Sequence, residues 1–193
     1  LGGAFGLELD AAAGKIYWAS LNTDRLERAN LDGSSVEVIY QAASSLAAVA
    51  LDLAHGTLFV SEYLANKIHR MNLDGSNRTV IAATPNGPLG LAVDSQHSRL
   101  YITAFFENKI VSCDLNGVNA TTFSTAISTP GDIDVDPFSG KLYWIHTNGD
   151  IYTANTDGSN QTLLTSFSES VGRAVKLDID RDGDGVKNSL DLC

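Results

Sequence analysis

Five aspartates set the limits on how this chain can fold. Asp10, Asp52, Asp94, Asp136 and Asp178 each follow a short apolar run, and each lies 42 residues after the one before. The aromatics Tyr17, Phe59, Tyr101 and Tyr143 keep the same step, as do the polar turn residues Asp24, Asn66, Asn108 and Asp150. A further turn column reads Asp32-Gly33, Asp74-Gly75, Asn116-Gly117 and Asp157-Gly158. Columns in register mean a repeated structural unit, and periods of 20–50 residues belong to solenoids, propellers and arrays.

The content of one unit selects among these. Residues 88–94, 99–104, 109–115 and 120–125 are four short runs separated by turn signals. Asp-Gly or Asn-Gly between alternating runs is a strong hairpin signal, because glycine takes a positive φ without steric cost. No stretch free of turns leaves room for a helix of useful length. Each unit is therefore a four-stranded antiparallel sheet, too small to cover its own two faces. Stacked radially, such sheets cover one another, so the expected class is all-β, a β-propeller.

The apolar columns agree. Leu7, Val49, Leu91, Ile133 and Val175 form one; Leu9, Leu51, Val93, Val135 and Leu177 form another. Alternation by two places both on one face of the innermost strand, in the core. Gly6, Ala48 and Gly90 form a small-residue column where inner strands crowd the axis. Four complete blades are expected, near 5–44, 47–86, 89–128 and 131–170. Ala174–Asp178 adds the inner strand of a fifth.

These residues carry a resemblance. Ile16-Tyr17-Trp18-Ala19-Ser20 with Arg28-Ala29-Asn30-Leu31-Asp32-Gly33-Ser34 resembles the YWTD repeat of the low-density lipoprotein receptor class B type. So do Leu142-Tyr143-Trp144 and Arg70-Met71-Asn72-Leu73-Asp74-Gly75. The resemblance covers residues 4 to about 178 and implies a closed ring of about six blades. The expectation is then a fragment of a larger protein, with a compact four-bladed ring as the alternative. The signature tetrapeptide ends in Ser20, Glu62, Ala104 and His146, never in Asp. Whatever the family builds with that Asp must be built otherwise here.

Residues 179–193 form a second segment. Asp180, Asp182, Asp184, Asn188 and Asp191 stand at positions 1, 3, 5, 9 and 12 of a loop with Gly185 at position 6. Val186 would offer its carbonyl at position 7. Calcium takes six to eight hard oxygens, which this spacing supplies, whereas magnesium demands a tighter octahedron. With Cys193 two residues on, the segment resembles a single thrombospondin type 3 repeat. That resemblance implies bound Ca2+ and a cysteine partner outside this chain. Cys113 shares a column with Ala29, Met71 and Ala154 and reads as a buried apolar residue.

Charge narrows the partners. Thirteen Lys and Arg against 23 Asp and Glu leave a net charge of −10, with five of the acidic residues in the last sixteen positions. A phosphate backbone needs a basic face, so nucleic acid is not expected. No apolar run reaches the length of a membrane span. Calcium loops and a pairing cysteine imply an extracellular, cell-surface or periplasmic setting.

Geometry proposes a partner face. The turns between a blade's second and third strands share one face of the ring with the links between blades. Tyr63, Phe105, Phe106 and His146 fall in those turns, and Asp132 and Arg173 in the links. The expected function is a binding or adhesion module, not an enzyme, whose face recognises a protein or glycan. The alternatives are a metal-dependent hydrolase resembling the propeller lactonases, with Glu8, Asp132 and Asp134 as candidate ligands, and a purely structural spacer. Asn77, Asn119 and Asn160 match the glycosylation acceptor pattern but occupy one repeat position after the turn. The histidines His55, His69, His97 and His146 fall in three columns, which speaks against a histidine metal site.

Overall fold

The computed structural model describes residues 3–83, 85–125 and 129–166. They form four antiparallel sheets of four strands, each a meander in sequence order. Blade 1 is β1 (Ala4–Asp10), β2 (Lys15–Ser20), β3 (Arg25–Asn30) and β4 (Glu37–Gln41). Blade 2 is β5 (Leu46–Asp52), β6 (Thr57–Glu62), β7 (Lys67–Asn72) and β8 (Thr79–Val80). Blade 3 is β9 (Pro88–Asp94), β10 (Arg99–Ala104), β11 (Lys109–Asp114) and β12 (Thr121–Ser124). Blade 4 is β13 (Pro130–Asp136), β14 (Lys141–His146), β15 (Ile151–Asn155) and β16 (Thr162–Thr165). The inner strands β1, β5, β9 and β13 neighbour one another in that order, which is the radial stacking of a propeller. The segments expected to form a fifth inner strand, 174–178, and a calcium loop, 180–191, lie outside the described residues.

Each blade offers one face backwards and the other forwards. Leu58, Val60 and Met71 of blade 2 look back onto Tyr17, Ala19 and Leu26 of blade 1. Phe59, Ile68 and Ala50 look forward onto Leu91, Leu100 and Ile102 of blade 3. Tyr101 and Ile110 of blade 3 pack likewise on Leu142, Trp144 and Tyr152 of blade 4. Burying a side chain such as Phe59 or Leu100 contributes about 1.5–3 kcal/mol, so the three interfaces are the main source of stability. Cys113 lies in the middle interface with no solvent exposure, and burial pushes its thiol up to about 11.

Close approach near the axis explains the small column. A Cβ on Gly6 would stand 2.7 Å from the Ala47 carbonyl oxygen, and one on Gly90 would stand 2.7 Å from that of Gly131. The next column out supplies hydroxyls: Ser61 Oγ accepts the Ala48 amide (2.8 Å), and Thr103 Oγ1 accepts the Gly90 amide (2.7 Å). Thr103 also donates to the Gly131 carbonyl (2.6 Å), tying blade 3 to blade 4.

The glycines of the β3–β4 type turns have a second task besides their positive φ. In blades 2, 3 and 4 this turn rests on the preceding blade's outer strand or the chain just beyond it. A Cβ on Gly75 would meet the Ile39 carbonyl, one on Gly117 the Ala82 and Ala83 amides, and one on Gly158 the Phe123 ring. Gly33 of blade 1 meets nothing within 4 Å. The acceptor-like asparagines Asn77, Asn119 and Asn160 each hold a left-handed φ near 55° in these turns, as Ser35 does in blade 1. Backbone geometry therefore accounts for that column.

The core expectation needs one correction. Val49, Leu91 and Ile133 are buried, but Leu7 and Leu9 are 54% and 51% exposed, and Trp18 is only half-buried. Among the described residues no blade covers the backward face of blade 1. A closed four-bladed ring would bury that face beneath blade 4, so that alternative is set aside.

The terminal position of the degraded tetrapeptide is also resolved. Ser20, Glu62, Ala104 and His146 are all buried. Glu62 Oε1 accepts the Ala43 and Ser44 amides (3.1 and 3.0 Å), so it caps the link between blades 1 and 2. Its other oxygen meets His69 Nε2 at 3.0 Å. Burial opposes its ionisation. The His69 contact and the two amides outweigh that and hold its pKa below the ordinary glutamate range.

Candidate protein-binding face

Chain direction places two sets of connections on opposite faces of the arc. The links between blades and the β2–β3 type turns share one face. The β1–β2 and β3–β4 type turns share the other. On the first face, one backbone contact repeats at every link. The Tyr63 amide donates to the Ser45 carbonyl (2.9 Å), Phe105 to Gly87 (2.9 Å) and Thr147 to Thr129 (3.2 Å). Asn66 Oδ1 accepts the Gly87 amide and Asn108 Oδ1 accepts the Thr129 amide, both at 2.9 Å. Asn66 and Asn108 are left-handed, with φ of 55° and 54°, a conformation asparagine adopts more readily than most residues. The polar turn column in the sequence is therefore the anchor of this face.

On that scaffold Tyr63, Phe105 and Phe106 come together. Phe105 and Phe106 occupy a single 3₁₀ turn, Phe105–Glu107. Their ring centroids are 5.3 Å apart, edge to face, and Tyr63 lies 6.1 Å from Phe105 and 5.4 Å from Phe106. A Cβ on Gly87 would stand 2.6 Å from the Phe106 ring, so Gly87 leaves the space in which that ring rests. Phe106 remains 53% exposed. Leu64, at the same repeat position as Phe106, is 62% exposed. Sequence reading overlooked Leu64, although the repeat column of Phe106 pointed to it. Blade 4 has Thr147 and Asn148 at these two positions, so the apolar surface stops at blade 3.

The remaining candidates divide. His146 does not reach the surface. It is fully buried, its Nε2 accepts Trp144 Nε1 (3.0 Å), and Tyr152 packs on its ring. The tetrapeptide register turns this last position inward, which the turn-based reading missed. Asp132 is half-buried on β13, in the small-residue column beside the axis. Arg173 lies outside the described residues, as do Asp180, Asp182, Asp184, Val186, Asn188 and Asp191.

Other ionisable groups have structural partners. His55 Nδ1 meets Asp52 (2.9 Å) and His97 Nδ1 meets Asp94 (2.7 Å), each across the β1–β2 type turn. Glu8, Asp132 and Asp134 do not gather into a metal centre. Among the described residues no three His, Cys, Asp or Glu side chains are arranged to hold an ion. Among them, too, no helix is long and apolar enough to cross a membrane.

Comparison with known proteins bears on the fold. No protein-family model matches the chain, and no curated protein sequence does. Solved structures match well. A chain from the crystal structure of a nidogen/laminin complex superposes with a TM-score of 0.78 at 22% identity, covering 86% of this chain and 66% of that one. Virginiamycin B lyase from Staphylococcus aureus gives 0.67 at 19% identity, over 83% and 55%. A hydrazine synthase from Kuenenia stuttgartiensis gives 0.71 at 12%, over 85% and 50%. The chain thus spans less than two thirds of each of these neighbours. The lyase and the synthase correct one expectation. Enzymes share this architecture, so the fold does not support the reading that the chain is not an enzyme. With four meander blades stacked about an axis and these neighbours, the chain is an all-β propeller.

Proposed function

We propose that the chain is an extracellular binding module that recognises a protein partner through the surface formed by Tyr63, Leu64, Phe105 and Phe106. The carrying observation is the mutual contact of three rings at the tips of two adjacent blades, with Phe106 half open to solvent. A solvated turn gains nothing from adjacent phenylalanines. Clustered aromatics at the centre of a patch are the anchors that dominate protein interfaces. The rings are already packed on one another and on Gly87, so little side-chain entropy remains to be lost on binding. Support also comes from the nidogen neighbour, which was solved in complex with laminin. Residues 180–191 complete the proposal as a loop that binds Ca2+ and so stiffens this segment.

Two experiments test this. The chain is immobilised and presented with purified extracellular-matrix proteins, laminin included, and with a glycan array. A protein that binds wild type and loses at least about tenfold in affinity (~1.4 kcal/mol) with Tyr63→Ser/Phe106→Ser supports the reading. Binding confined to glycans, or indifferent to the double substitution, overturns it. For the loop, calorimetry with Ca2+ should find one site that disappears in Asp182→Ala/Asp184→Ala. A site surviving both changes places the ion elsewhere.

A further inference from the structure

The opposite face holds a cleft that the repeat itself explains. One column on the third strand of each blade faces forwards and reads Arg28, Arg70, Ser112 and Thr153. Arg28 crosses from blade 1, its Nη1 donating to the Leu73 carbonyl of blade 2 (2.8 Å). Arg70 crosses from blade 2 to Asn116 Oδ1 of blade 3 (3.1 Å). Both acceptors belong to the turn after the third strand of the receiving blade. In blade 4 the residues at those two repeat positions are Thr156 and Asp157. Ser112 is too short to cross to them.

Between blades 3 and 4 there is instead an open cavity of about 580 Å³, with Ser112, Tyr101, Thr156, Asp157, Asp94 and Arg99 in its walls. The Arg99 guanidinium lies along its own blade, with Nη2 and Nε donating to Ser112 Oγ (2.6 and 3.2 Å). Asp94 is buried and held by His97. Asp157 Oδ1 accepts the Ser159 amide and hydroxyl, which keeps its carboxyl below the ordinary aspartate range.

We propose that this cleft receives a guanidinium or primary ammonium group from outside the chain, seated where Arg28 and Arg70 sit in the first two interfaces. The chain's own arginines show what this position takes: a cation donating to a turn of the next blade. Blade 4 keeps that turn, with a carbonyl at Thr156 and a carboxylate at Asp157. Charge favours the same class of ligand, since Asp94 and Asp157 outnumber Arg99 and the chain carries a net charge of −10. The site lies on the face away from Phe106, so Phe106→Ser leaves it unchanged, and its failure is separable from that of the binding-face proposal.

The test is an NMR titration with Nα-acetyl-argininamide beside Nα-acetyl-citrullinamide, its uncharged isostere. The arginine compound is expected to bind with a Kd on the order of 1 mM, a typical strength for one small polar anchor, and the citrulline compound at least about tenfold more weakly. Ser112→Arg fills the position from within, so it should abolish binding. Asp157→Asn keeps the turn's acceptor but loses the charge, and should weaken binding about tenfold. Equal binding of both compounds, or undiminished binding by Ser112→Arg and Asp157→Asn, overturns the proposal. A short peptide with an internal arginine separates the sources. Binding as tight as the amide points to a partner's side chain. Failure of the peptide while the amide binds points to a small amine or guanidine.

Discussion

Replacing Gly33 or Gly117 by alanine makes the same chemical change in the same turn, yet the two should differ sharply in cost. Both glycines have a φ near 80°, at 82° and 80°, and in both the amide closes the turn by donating to the carbonyl three residues before (2.9 Å). The backbone penalty for a Cβ in this conformation is about 1–2 kcal/mol at either site. At Gly33 that is the whole effect, because nothing lies within 4 Å. At Gly117 the new methyl would stand 2.5 Å from the Ala83 amide and 2.6 Å from that of Ala82. Both are backbone atoms, so a blade must shift. Overpacking of this kind costs about 1–3 kcal/mol. The shift also strains the hydrogen bond that the Ala82 amide donates to the Asn116 carbonyl (3.1 Å), worth about 1 kcal/mol. Gly117→Ala should therefore exceed Gly33→Ala by about 2–4 kcal/mol, or at least about 4 °C in melting temperature for a chain of this size. Gly75→Ala, whose new methyl would meet the Ile39 carbonyl oxygen, should group with Gly117→Ala. The assay is urea and thermal unfolding followed by circular dichroism. Equal losses at Gly33 and Gly117 would mean the glycines serve φ alone, and the outer-strand stacking would be refuted.

Three further outcomes are expected. Glu62 titrates below its unfolded value, so the stability it contributes is present above about pH 4.3 and is lost as pH falls through its lower folded value. Glu62→Gln should cost about 1–3 kcal/mol at pH 7 and flatten the acid limb of a stability-versus-pH curve; an unchanged limb contradicts the assignment. Thr103→Val removes the acceptor of the Gly90 amide and the tie to Gly131, and should cost about 1–3 kcal/mol in chemical denaturation. A neutral result would show that the hydroxyl does not join the inner strands. Cys113, buried and with its thiol pushed up to about 11, should resist iodoacetamide at pH 8 in a Cys193→Ser background and react on unfolding. Prompt labelling of the folded chain would place it at the surface.

The repeat made the architecture legible because every blade solves the same packing problem with the same residue at the same position. Asp10, Asp52, Asp94 and Asp136 end inner strands, and each accepts hydrogen bonds in the turn that follows. What the columns could not show was where the repetition stops. Leu7 and Leu9 sit in core columns, yet the backward face of blade 1 has no neighbour among the described residues. Register was the second difficulty. His146 and Phe105 are adjacent columns in the repeat, but one turns inward onto Trp144 and the other lies in a 3₁₀ turn at the surface. The ring cluster was legible because Tyr63 and Phe105 share a column, and Leu64 could have been read from the column of Phe106. The cleft beside Ser112 was visible only as a short residue in a column of arginines. Its meaning needed the positions of Leu73 and Asn116 across the interface.

The most direct test of the binding face uses two exposed apolar side chains as mutual controls. Phe106 and Leu31 are 53% and 52% exposed, on opposite faces of the arc. Affinity for a matrix protein that binds the chain is measured by biolayer interferometry for wild type, Phe106→Ser and Leu31→Ser. A loss of at least about tenfold is predicted for Phe106→Ser and wild-type affinity for Leu31→Ser. Loss confined to Leu31→Ser, or wild-type affinity in both, contradicts the binding face.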